Sequence, residues 1–461
     1  GARLAARLAR GVPAASRAAR DEPLLGGRSG RPSGELRRAP VPLHSGSPPR
    51  PRNERGARRR EDALRRRKPA LAFWAAPFLW VSFEYIITHI LTGFPWGVLG
   101  LSQARNIWFI QTAAVTGVYG ISFVLILFQS AFVLSIREEK RLPFAFGTIL
   151  LVVVHLAGFL SLGRPAETKD TFTAGVIQGN VSSDVYWTGT APGAIRSLFE
   201  RHMALTRQAA DAGARLILWP EFSVPLCFSC DDPMSLEFKA ALSAYVRESG
   251  TTLLLGTNET AGPPEKRLYY NTALSLDPGL QAARYFKMHL VPFGEYTPYK
   301  KIFGFIEKVT HAVGEVTPGT ERVLHPFGPW RFGSPICYEV IFPDLVRRFT
   351  KAGADFLLTI TNDGWYGRSS APYQHFANAI LRAVENRRPL LRAATTGISG
   401  FIDPYGRVVA ESKIGEQTFL TGRVTPRTGL TPYSRFGDWF SYLCLTAGAL
   451  TLILALFKRR T

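Results

Sequence analysis

Long apolar runs occupy two parts of the chain and predict membrane-spanning helices. Each run is long enough to cross a bilayer as a helix with a rise of about 1.5 Å per residue. The runs cover residues 71–91, 108–136, 143–162 and 440–457. Between the first two, residues 92–106 are rich in Gly and Pro and cannot form a regular helix. The pattern predicts about three spans within residues 69–163 and one within residues 433–461.

Residues 164–432 follow a different pattern, in which short β-rich runs alternate with helical stretches. The predicted strands are 173–178, 216–219, 251–256, 272–276, 332–337, 356–361 and 390–394. The predicted helices are 192–212, 236–249, 343–352 and 373–388. Such alternation indicates a layered α/β domain with its functional side chains at the ends of strands.

Glu84 lies inside the first apolar run, where a carboxylate is costly unless it faces protein or water. Two interpretations are open. The side chain either makes a polar contact that packs the helices together, which we favour, or belongs to a substrate path.

The formal charge of +21 is concentrated at one end of the 461-residue chain. Residues 1–68 hold about nineteen Lys and Arg against about six Asp and Glu, so roughly +13 of the charge lies there. This segment has no apolar core of a signal peptide and predicts a disordered leader. We expect it to be either a leader without a role or a basic arm at an anionic membrane, and favour the former. A nucleic-acid partner is not expected.

Basic clusters follow the predicted spans in a regular way. They lie at residues 65–68, 137–141 and 458–460. With four spans, all three fall on one side of the membrane, and the positive-inside rule makes that side cytoplasmic. The region of about residues 163–438 is therefore predicted to lie outside the cytoplasm.

Three apolar runs each deliver one reactive side chain. Residues 335–339 carry Cys337, residues 216–221 end at Glu221, and residues 285–295 contain Lys287. A thiol at the end of a buried strand is either a nucleophile or an inert core group. Because Lys and Glu are rarely buried unless paired, Glu221 and Lys287 indicate a salt bridge or a catalytic pair.

Cys227 and Cys230 form a single C-x-x-C motif. No second pair and no nearby His completes a zinc site, so no metal is expected. A local disulfide and two free thiols both remain open.

Taken in order, Glu221, Lys287 and Cys337 resemble the Glu-Lys-Cys triad of the nitrilase superfamily, and within it the membrane-bound apolipoprotein N-acyltransferases. The matching motifs lie at residues 91–96 (LTGFPW), 178–180 (QGN), 219–221 (WPE), 289–295, 336–339, 361–367 (TNDGWYG) and 431–433 (TPY). The resemblance runs from about Pro77 to the C-terminus. It implies a nitrilase-like four-layer α-β-β-α sandwich joined to an α-helical transmembrane domain.

The resemblance also implies roles for individual residues. Glu221 would be the general base, Cys337 the nucleophile, and Lys287 with the backbone N–H of Tyr338 would stabilise the oxyanion. Five further residues have implied supporting or substrate-binding roles. They are Glu295 and Glu339 as supports of the site, Tyr338 at the acyl pocket, Trp187 on a loop beside it, and Trp365 on the pocket wall or toward lipid. Glu295 as a loop carboxylate, Glu339 as a helix-start charge and Trp187 as a packing residue are the alternatives.

The implied reaction is a two-step acyl transfer that needs no cofactor. A phospholipid, with phosphatidylethanolamine the expected donor, would acylate the cysteine. The N-terminal amine of a diacylglyceryl-cysteine apolipoprotein would then accept the acyl group. We expect a monomeric, multi-pass protein of the bacterial inner membrane with its catalytic domain on the periplasmic side.

Two other functions stay open. One is a membrane-tethered amidase or nitrile hydrolase, in which water replaces the amine. The other is a lipid-binding protein without activity, since the acyltransferases carry more spans ahead of the catalytic domain and an even number is expected to be missing here.

Overall fold

The computed structural model of the chain describes residues 69–162, 171–181, 192–223, 227–299 and 315–460. The predicted leader at residues 1–68 and Trp187 lie outside the described residues. Ten helices and twelve strands are found within the described ranges. The helices are α1 Pro69–His89, α2 Ala113–Thr116, α3 Val118–Glu138, α4 Leu142–Leu162, α5 Pro192–Asp211, α6 Pro233–Ser249, α7 Pro343–Lys351, α8 Ala371–Asn386, α9 Pro432–Phe436 and α10 Trp439–Arg460.

Three of these helices are long and apolar enough to cross a membrane, among the residues that the structure describes. They are Val118–Glu138, Leu142–Leu162 and Trp439–Phe457. The predicted first span is also a continuous helix, α1, although it is not among these three. It packs along α3, where the rings of Phe78 and Phe123 meet edge to face at 4.9 Å.

The second apolar run, residues 108–136, is not one continuous helix. A 3₁₀ turn at Phe109–Thr112 and the short α2 come first, and α3 begins only at Val118. Gly117 separates them with φ 69° and ψ −177°, a conformation that is essentially restricted to glycine. A Cβ at this position would lie 2.7 Å from the ring of Tyr433, so the glycine is also needed for close packing.

Glu84 makes helix-packing contacts inside α1. Its Oε1 accepts hydrogen bonds from Trp80 Nε1 at 2.9 Å and from the backbone N–H of Leu99 at 2.7 Å. The second contact ties the helix to the 3₁₀ turn at Leu99–Gln103, in the glycine-rich segment predicted to be irregular. These contacts support the packing interpretation.

The strands form two six-stranded sheets. They are β1 Phe172–Gln178, β2 Leu216–Leu218, β3 Thr252–Ala261, β4 Leu268–Leu276, β5 Ala282–Phe286, β6 His325–Phe327, β7 Trp330–Gly333, β8 Phe356–Thr361, β9 Leu390–Ala394, β10 Gly400–Ile402, β11 Val408–Glu411 and β12 Thr418–Val424. The first sheet has the order β12-β1-β2-β3-β4-β5 and the second β11-β10-β9-β8-β7-β6. In each sheet the central strands are parallel and the outer ones antiparallel.

Two hydrophobic clusters hold four layers together, as predicted. Helices α5 and α6 cover the outer face of the first sheet, with Phe199 and Phe238 stacked at 4.1 Å. Helices α7 and α8 cover the second sheet. The inner faces meet at Phe172, whose ring lies 4.6 Å from Phe327 and 5.3 Å from Phe356. The chain therefore has the predicted α-β-β-α sandwich.

The apolar helices join the sandwich at defined polar contacts. The backbone N–H of Val118, the first residue of α3, donates to Glu385 Oε1 at 3.0 Å. Arg387 Nη2 donates to Ser161 Oγ near the end of α4 at 3.1 Å. Trp439 Nε1, at the start of α10, donates to the carbonyl of Val115 in α2 at 2.9 Å, which places the start of α10 beside that of α3. The starts of α3 and α10 and the end of α4 therefore lie on the sandwich side of the molecule.

We expect Gly117→Ala to lower the free energy of unfolding by about 1–3 kcal/mol, because the new Cβ would sit at a glycine conformation and against Tyr433. Thermal unfolding of the protein in detergent measures the change. Gly97→Ala is the matched control, since nothing lies within 4 Å of a Cβ there. Equal midpoints for the two variants would contradict the assignment.

Candidate active site

Lys287 is the centre of a buried ionic cluster. It follows β5 directly, and its side chain is 1% exposed. Its Nζ lies 3.2 Å from Glu221 Oε1 and 2.9 Å from Glu295 Oε1. Sequence reasoning missed Asn271, whose Nδ2 donates to both carboxylates, at 2.7 Å and 2.8 Å. The structure therefore brings the predicted acid and base together.

The two carboxylates keep the buried lysine charged. Burial by itself lowers the pKa of Lys287, but Glu221 and Glu295 outweigh it and raise that pKa well above its usual value. A buried ammonium close to a thiol can stabilise negative charge there without losing its proton.

Glu221 stands three residues beyond the end of β2. Its Oε2 accepts a hydrogen bond from the backbone N–H of Asn362 at 2.9 Å. Asn362 follows β8 in the other sheet, so this bond fixes the carboxylate between the two sheets. One of its oxygens faces Lys287, and the side chain is 3% exposed.

Cys337 opens a turn instead of ending a strand, so the predicted strand over residues 332–337 is wrong at its end. Strand β7 stops at Gly333, and Cys337 begins the 3₁₀ turn Cys337–Ile341 with φ 50°. A non-glycine residue at positive φ is uncommon and is held there by its surroundings. The turn carries the thiol out of the sheet edge while Ile336 still bridges Ile360 of β8.

The thiol of Cys337 is protonated in the resting site. Burial, with help from Glu221, raises the pKa of this thiol well above its usual value, and Lys287 opposes the rise only in part. Thr361 Oγ1 lies 3.1 Å from Sγ. A base must therefore remove the proton before the sulfur can act as a nucleophile.

Glu339 ties the cysteine turn to the chain that follows Lys287. Oε1 accepts from Tyr285 Oη, and from the N–H groups of Met288 and His289, at 2.7, 2.7 and 3.0 Å. Oε2 accepts from the N–H of Ile336 at 2.7 Å. Burial raises the pKa of Glu339 to about 7, against the opposing effect of these donors. The carboxylate fixes the spacing between the lysine and cysteine segments.

Tyr338 connects the site to the loop between the first two apolar runs. Its hydroxyl donates to the carbonyl of Gly93 at 3.1 Å, and its ring stacks on Phe94 at 6.4 Å. Two residues after the lysine, His289 Nε2 lies 2.9 Å from the carbonyl of Thr92. The segment that enters the site from the apolar helices thus touches both the cysteine turn and the lysine segment.

Trp365 follows β8, in the second sheet. It belongs to the 3₁₀ turn Asp363–Tyr366 and is 51% exposed. Its predicted role in substrate binding stays a prediction, as does that of Trp187.

A cavity of about 590 Å³ opens beside the lysine segment. Its lining includes Leu91, Thr92, His289, Tyr296 and Tyr299. Most of this lining is apolar or aromatic, which suits an acyl chain better than a polar substrate.

Cys227 and Cys230 form a disulfide, which settles the choice between a bridge and two free thiols. Within the described ranges, no group of three or more His, Cys, Asp or Glu side chains is arranged to hold a metal ion.

Behind the cysteine turn lies a second buried polar cluster that sequence reasoning missed. Asp363 accepts from Arg392 Nη2 at 3.0 Å and 2.8 Å, and His375 Nδ1 lies 2.9 Å from its Oδ1. The Asn-Asp pair of the TNDGWYG motif was the sequence signal that could have pointed to this cluster. Only the fold brings His375 and Arg392 to it.

Family models match both the sandwich and the apolar helices before it. A family model of the carbon-nitrogen hydrolases matches residues 173–433, and one of the apolipoprotein N-acyltransferase N-terminal domain matches residues 60–131. Among solved structures, Nit3 of Saccharomyces cerevisiae, a member of branch 10 of the nitrilase superfamily, is 19% identical with a TM-score of 0.43. That similarity covers 57% of this chain and 93% of Nit3.

Curated relatives match both the helical part and the sandwich. The apolipoprotein N-acyltransferase of Geobacter metallireducens is 37% identical over 395 residues, which cover 84% of this chain and 74% of that protein. The enzyme of the same name from Chlorobaculum tepidum is 32% identical over 420 residues, covering 84% and 78%. At this identity and coverage, the chain belongs to the apolipoprotein N-acyltransferase family.

Proposed function

We propose that this protein transfers a fatty acyl group from a membrane phospholipid to the N-terminal amine of an apolipoprotein through a thioester on Cys337. One observation carries the proposal. The loop at residues 91–96, between helices of the apolar part, hydrogen-bonds through Gly93 to Tyr338, the residue after the cysteine. A nucleophile held against a loop that follows an apolar helix suits a lipid ester better than a small polar substrate.

In the first step Glu221 takes the proton of the Cys337 thiol, and Sγ attacks the ester carbonyl carbon. The carbonyl oxygen receives an electron pair and becomes an oxyanion, which the Lys287 ammonium and the N–H of Tyr338 stabilise. The carbon–oxygen bond to the glycerol then breaks. Glu221 returns its proton to the leaving alkoxide, which departs as lysophospholipid and leaves a thioester.

In the second step the amine of diacylglyceryl-cysteine attacks the thioester carbonyl. Glu221 accepts the proton that the nitrogen loses, the carbon–sulfur bond breaks, and the proton goes to the cysteine sulfur. An oxyanion develops on the carbonyl oxygen in both steps, so one fixed Lys287 ammonium can stabilise both.

The supporting residues act through these three. Glu295 holds Lys287 at 2.9 Å, and Glu339 fixes the cysteine turn relative to the lysine segment. Tyr338 would form part of the acyl pocket, while Trp187 and Trp365 would contact substrate at its rim.

The helix ends support a catalytic domain outside the cytoplasm. The start of α3 contacts the sandwich through Val118, and the start of α10 lies beside it through the bond from Trp439 to Val115 of α2. Each of these helices is roughly 30 Å long, so residues 137–141 and 458–460 lie at the far end. Both stretches are basic, which suits the cytoplasmic face of a bacterial inner membrane and leaves the sandwich on the periplasmic side.

We propose a monomer with phosphatidylethanolamine as its donor.

A membrane-tethered amidase is the second candidate. The carbon-nitrogen hydrolase match and the Glu221–Lys287–Cys337 grouping favour it equally, because water could replace the amine in the second step. The apolar loop contact at Gly93 separates the two proposals.

The first test is acylation without an acceptor. Purified protein in detergent, incubated with a phospholipid bearing a labelled acyl chain, should gain one acyl mass that hydroxylamine removes. Cys337→Ala should gain none, because no sulfur remains to form the thioester. Intact mass spectrometry measures both, and an adduct that persists in Cys337→Ala would contradict the thioester.

Lys287→Met should slow thioester formation by about 10²–10³-fold, because an oxyanion donor is lost. It also leaves Glu221 and Glu295 buried without their cation, so one of them should take up a proton on folding. A carboxyl pKa that is raised in the folded state makes the free energy of unfolding fall as the pH rises. In the wild type, the raised pKa of Lys287 gives a stabilisation that is lost only above the usual lysine range.

The unfolding temperature of Lys287→Met should therefore fall further below that of wild type as the pH is raised above the usual carboxyl range. Lys239→Met, on the surface of α6, is the matched control. A pH-independent difference would argue against the buried charge cluster.

The choice between amine and water is tested on the isolated acyl-enzyme. A diacylglyceryl-cysteinyl peptide with a free N-terminus should discharge the label as an N-acyl peptide, faster than buffer alone does. The same peptide with an acetylated N-terminus should leave the acyl-enzyme intact, since it offers no nucleophile. Equal rates of loss with both peptides, with free fatty acid as product, would favour the hydrolase.

A further inference from the structure

His375 lies directly behind the cysteine turn and contacts its backbone. Its Nε2 is 3.1 Å from the carbonyl oxygen of Cys337. On the other side of the ring, Nδ1 lies 2.9 Å from Asp363 Oδ1 and 3.0 Å from Arg392 Nη2. All three side chains of this cluster are fully buried.

The position of the ring proton follows from its neighbours. A carbonyl oxygen can only accept, so the short contact with Cys337 requires a proton on Nε2. Burial, together with the adjacent Arg392 guanidinium, lowers the pKa of His375. The ring therefore donates through Nε2 to the Cys337 carbonyl, while Asp363 and Arg392 at Nδ1 fix its orientation. Arg392 also donates to Asp363, and this bond holds the guanidinium against the His375 ring.

The carbonyl of Cys337 and the N–H of Tyr338 belong to one peptide unit. In a trans peptide the two bonds are coplanar and point in opposite directions. A hydrogen bond that holds the carbonyl toward His375 therefore holds the N–H on the opposite side. Cys337 has φ 50°, so the neighbouring backbone does not supply this orientation by ordinary helical or strand geometry.

We propose that His375 is a positioning residue for the oxyanion site: its hydrogen bond to the Cys337 carbonyl aims and polarises the N–H of Tyr338. The inference rests on the proposed function for the assignment of that N–H as an oxyanion donor. The Nε2–H bond draws electron density toward the carbonyl oxygen, which strengthens the N–H as a donor. The Asp363–Arg392 pair holds the ring, and Asp363 packs so closely on the backbone of Gly397 that a side chain there would overlap it.

Two reactions of Cys337 separate aiming of the N–H from general damage. Acylation by p-nitrophenyl hexanoate forms a carbon–sulfur bond through an oxyanion and expels p-nitrophenolate, so it needs the N–H of Tyr338. Alkylation by iodoacetamide displaces iodide in one step and forms no oxyanion. Both reactions start from the same sulfur, and neither uses a phospholipid, so they do not depend on the identity of the natural donor.

The variants are His375→Phe, His375→Gln and His375→Asn in the full chain in detergent. His375→Phe should slow the p-nitrophenolate burst about tenfold or more, while alkylation of Cys337, followed by peptide mass spectrometry, stays within about twofold. The amide of Gln reaches roughly the place of Nε2 and should restore most of the burst. The amide of Asn reaches only the place of Nδ1 and should not.

His325→Phe is the matched control, since His325 is equally buried but donates and accepts only at Ser275 and Ser334. It should leave the ratio of the two rates unchanged. If His375→Phe does not fold, the comparison of Gln with Asn carries the test. Cys337→Ala should show neither reaction.

Three results would overturn the proposal. One is a wild-type burst in both His375→Phe and His375→Asn. Another is an equal loss of acylation and alkylation, which would make His375 a support of the sulfur or of the fold. The third is a wild-type protein that is alkylated at Cys337 but shows no ester burst. Failure of phospholipid acylation alone, with a normal ester burst, would instead count against the proposed donor.

Discussion

The structure depends on a lysine ammonium held in a dry site between two carboxylates. A lone ammonium at the position of Lys287 would lose its proton, because burial by itself lowers its pKa. Glu221 and Glu295 outweigh that effect, and Asn271 donates to both carboxylates, so the lysine stays charged although the three residues are only 1–8% exposed. Their mutual dependence explains why the end of β2 has to meet the end of β5 and the loop that follows it, although Glu221 and Lys287 are 66 residues apart.

The same constraint sets the position of Cys337. Cys337 comes from the second sheet, so its distance from the lysine depends on how the sheets pack. Glu339 controls that distance, because its carboxylate receives N–H groups from both the cysteine turn and the lysine segment. Glu221 adds a second tie through the N–H of Asn362. The carboxylates that serve the proposed reaction thus also accept the hydrogen bonds that hold the two sheets in register.

Much of this could be predicted from the sequence, and the failures have a common cause. Buried central strands such as Phe356–Thr361 and Leu390–Ala394 read as apolar runs because both of their faces are covered. Strand β12 was missed, because its exposure is mixed and it exists by pairing with β1, more than two hundred residues away. The break at Gly117 was missed because only the ring of Tyr433, from the other end of the chain, shows why a glycine is needed.

The residues of the site also differ in whether the local sequence reveals them. Glu221, Lys287 and Cys337 carry local signals, since each is a reactive side chain within an apolar run. Asn271 and His375 carry none: one is a polar residue in a strand and the other lies on a helix, and neither position is unusual by itself. Their importance arises from what the fold places opposite them, a pair of carboxylates in one case and a backbone carbonyl in the other. Residues that hold reactive groups in place are therefore harder to predict from sequence than the reactive groups themselves. Their role depends on where the fold places them and not on an unusual chemical property of the side chain.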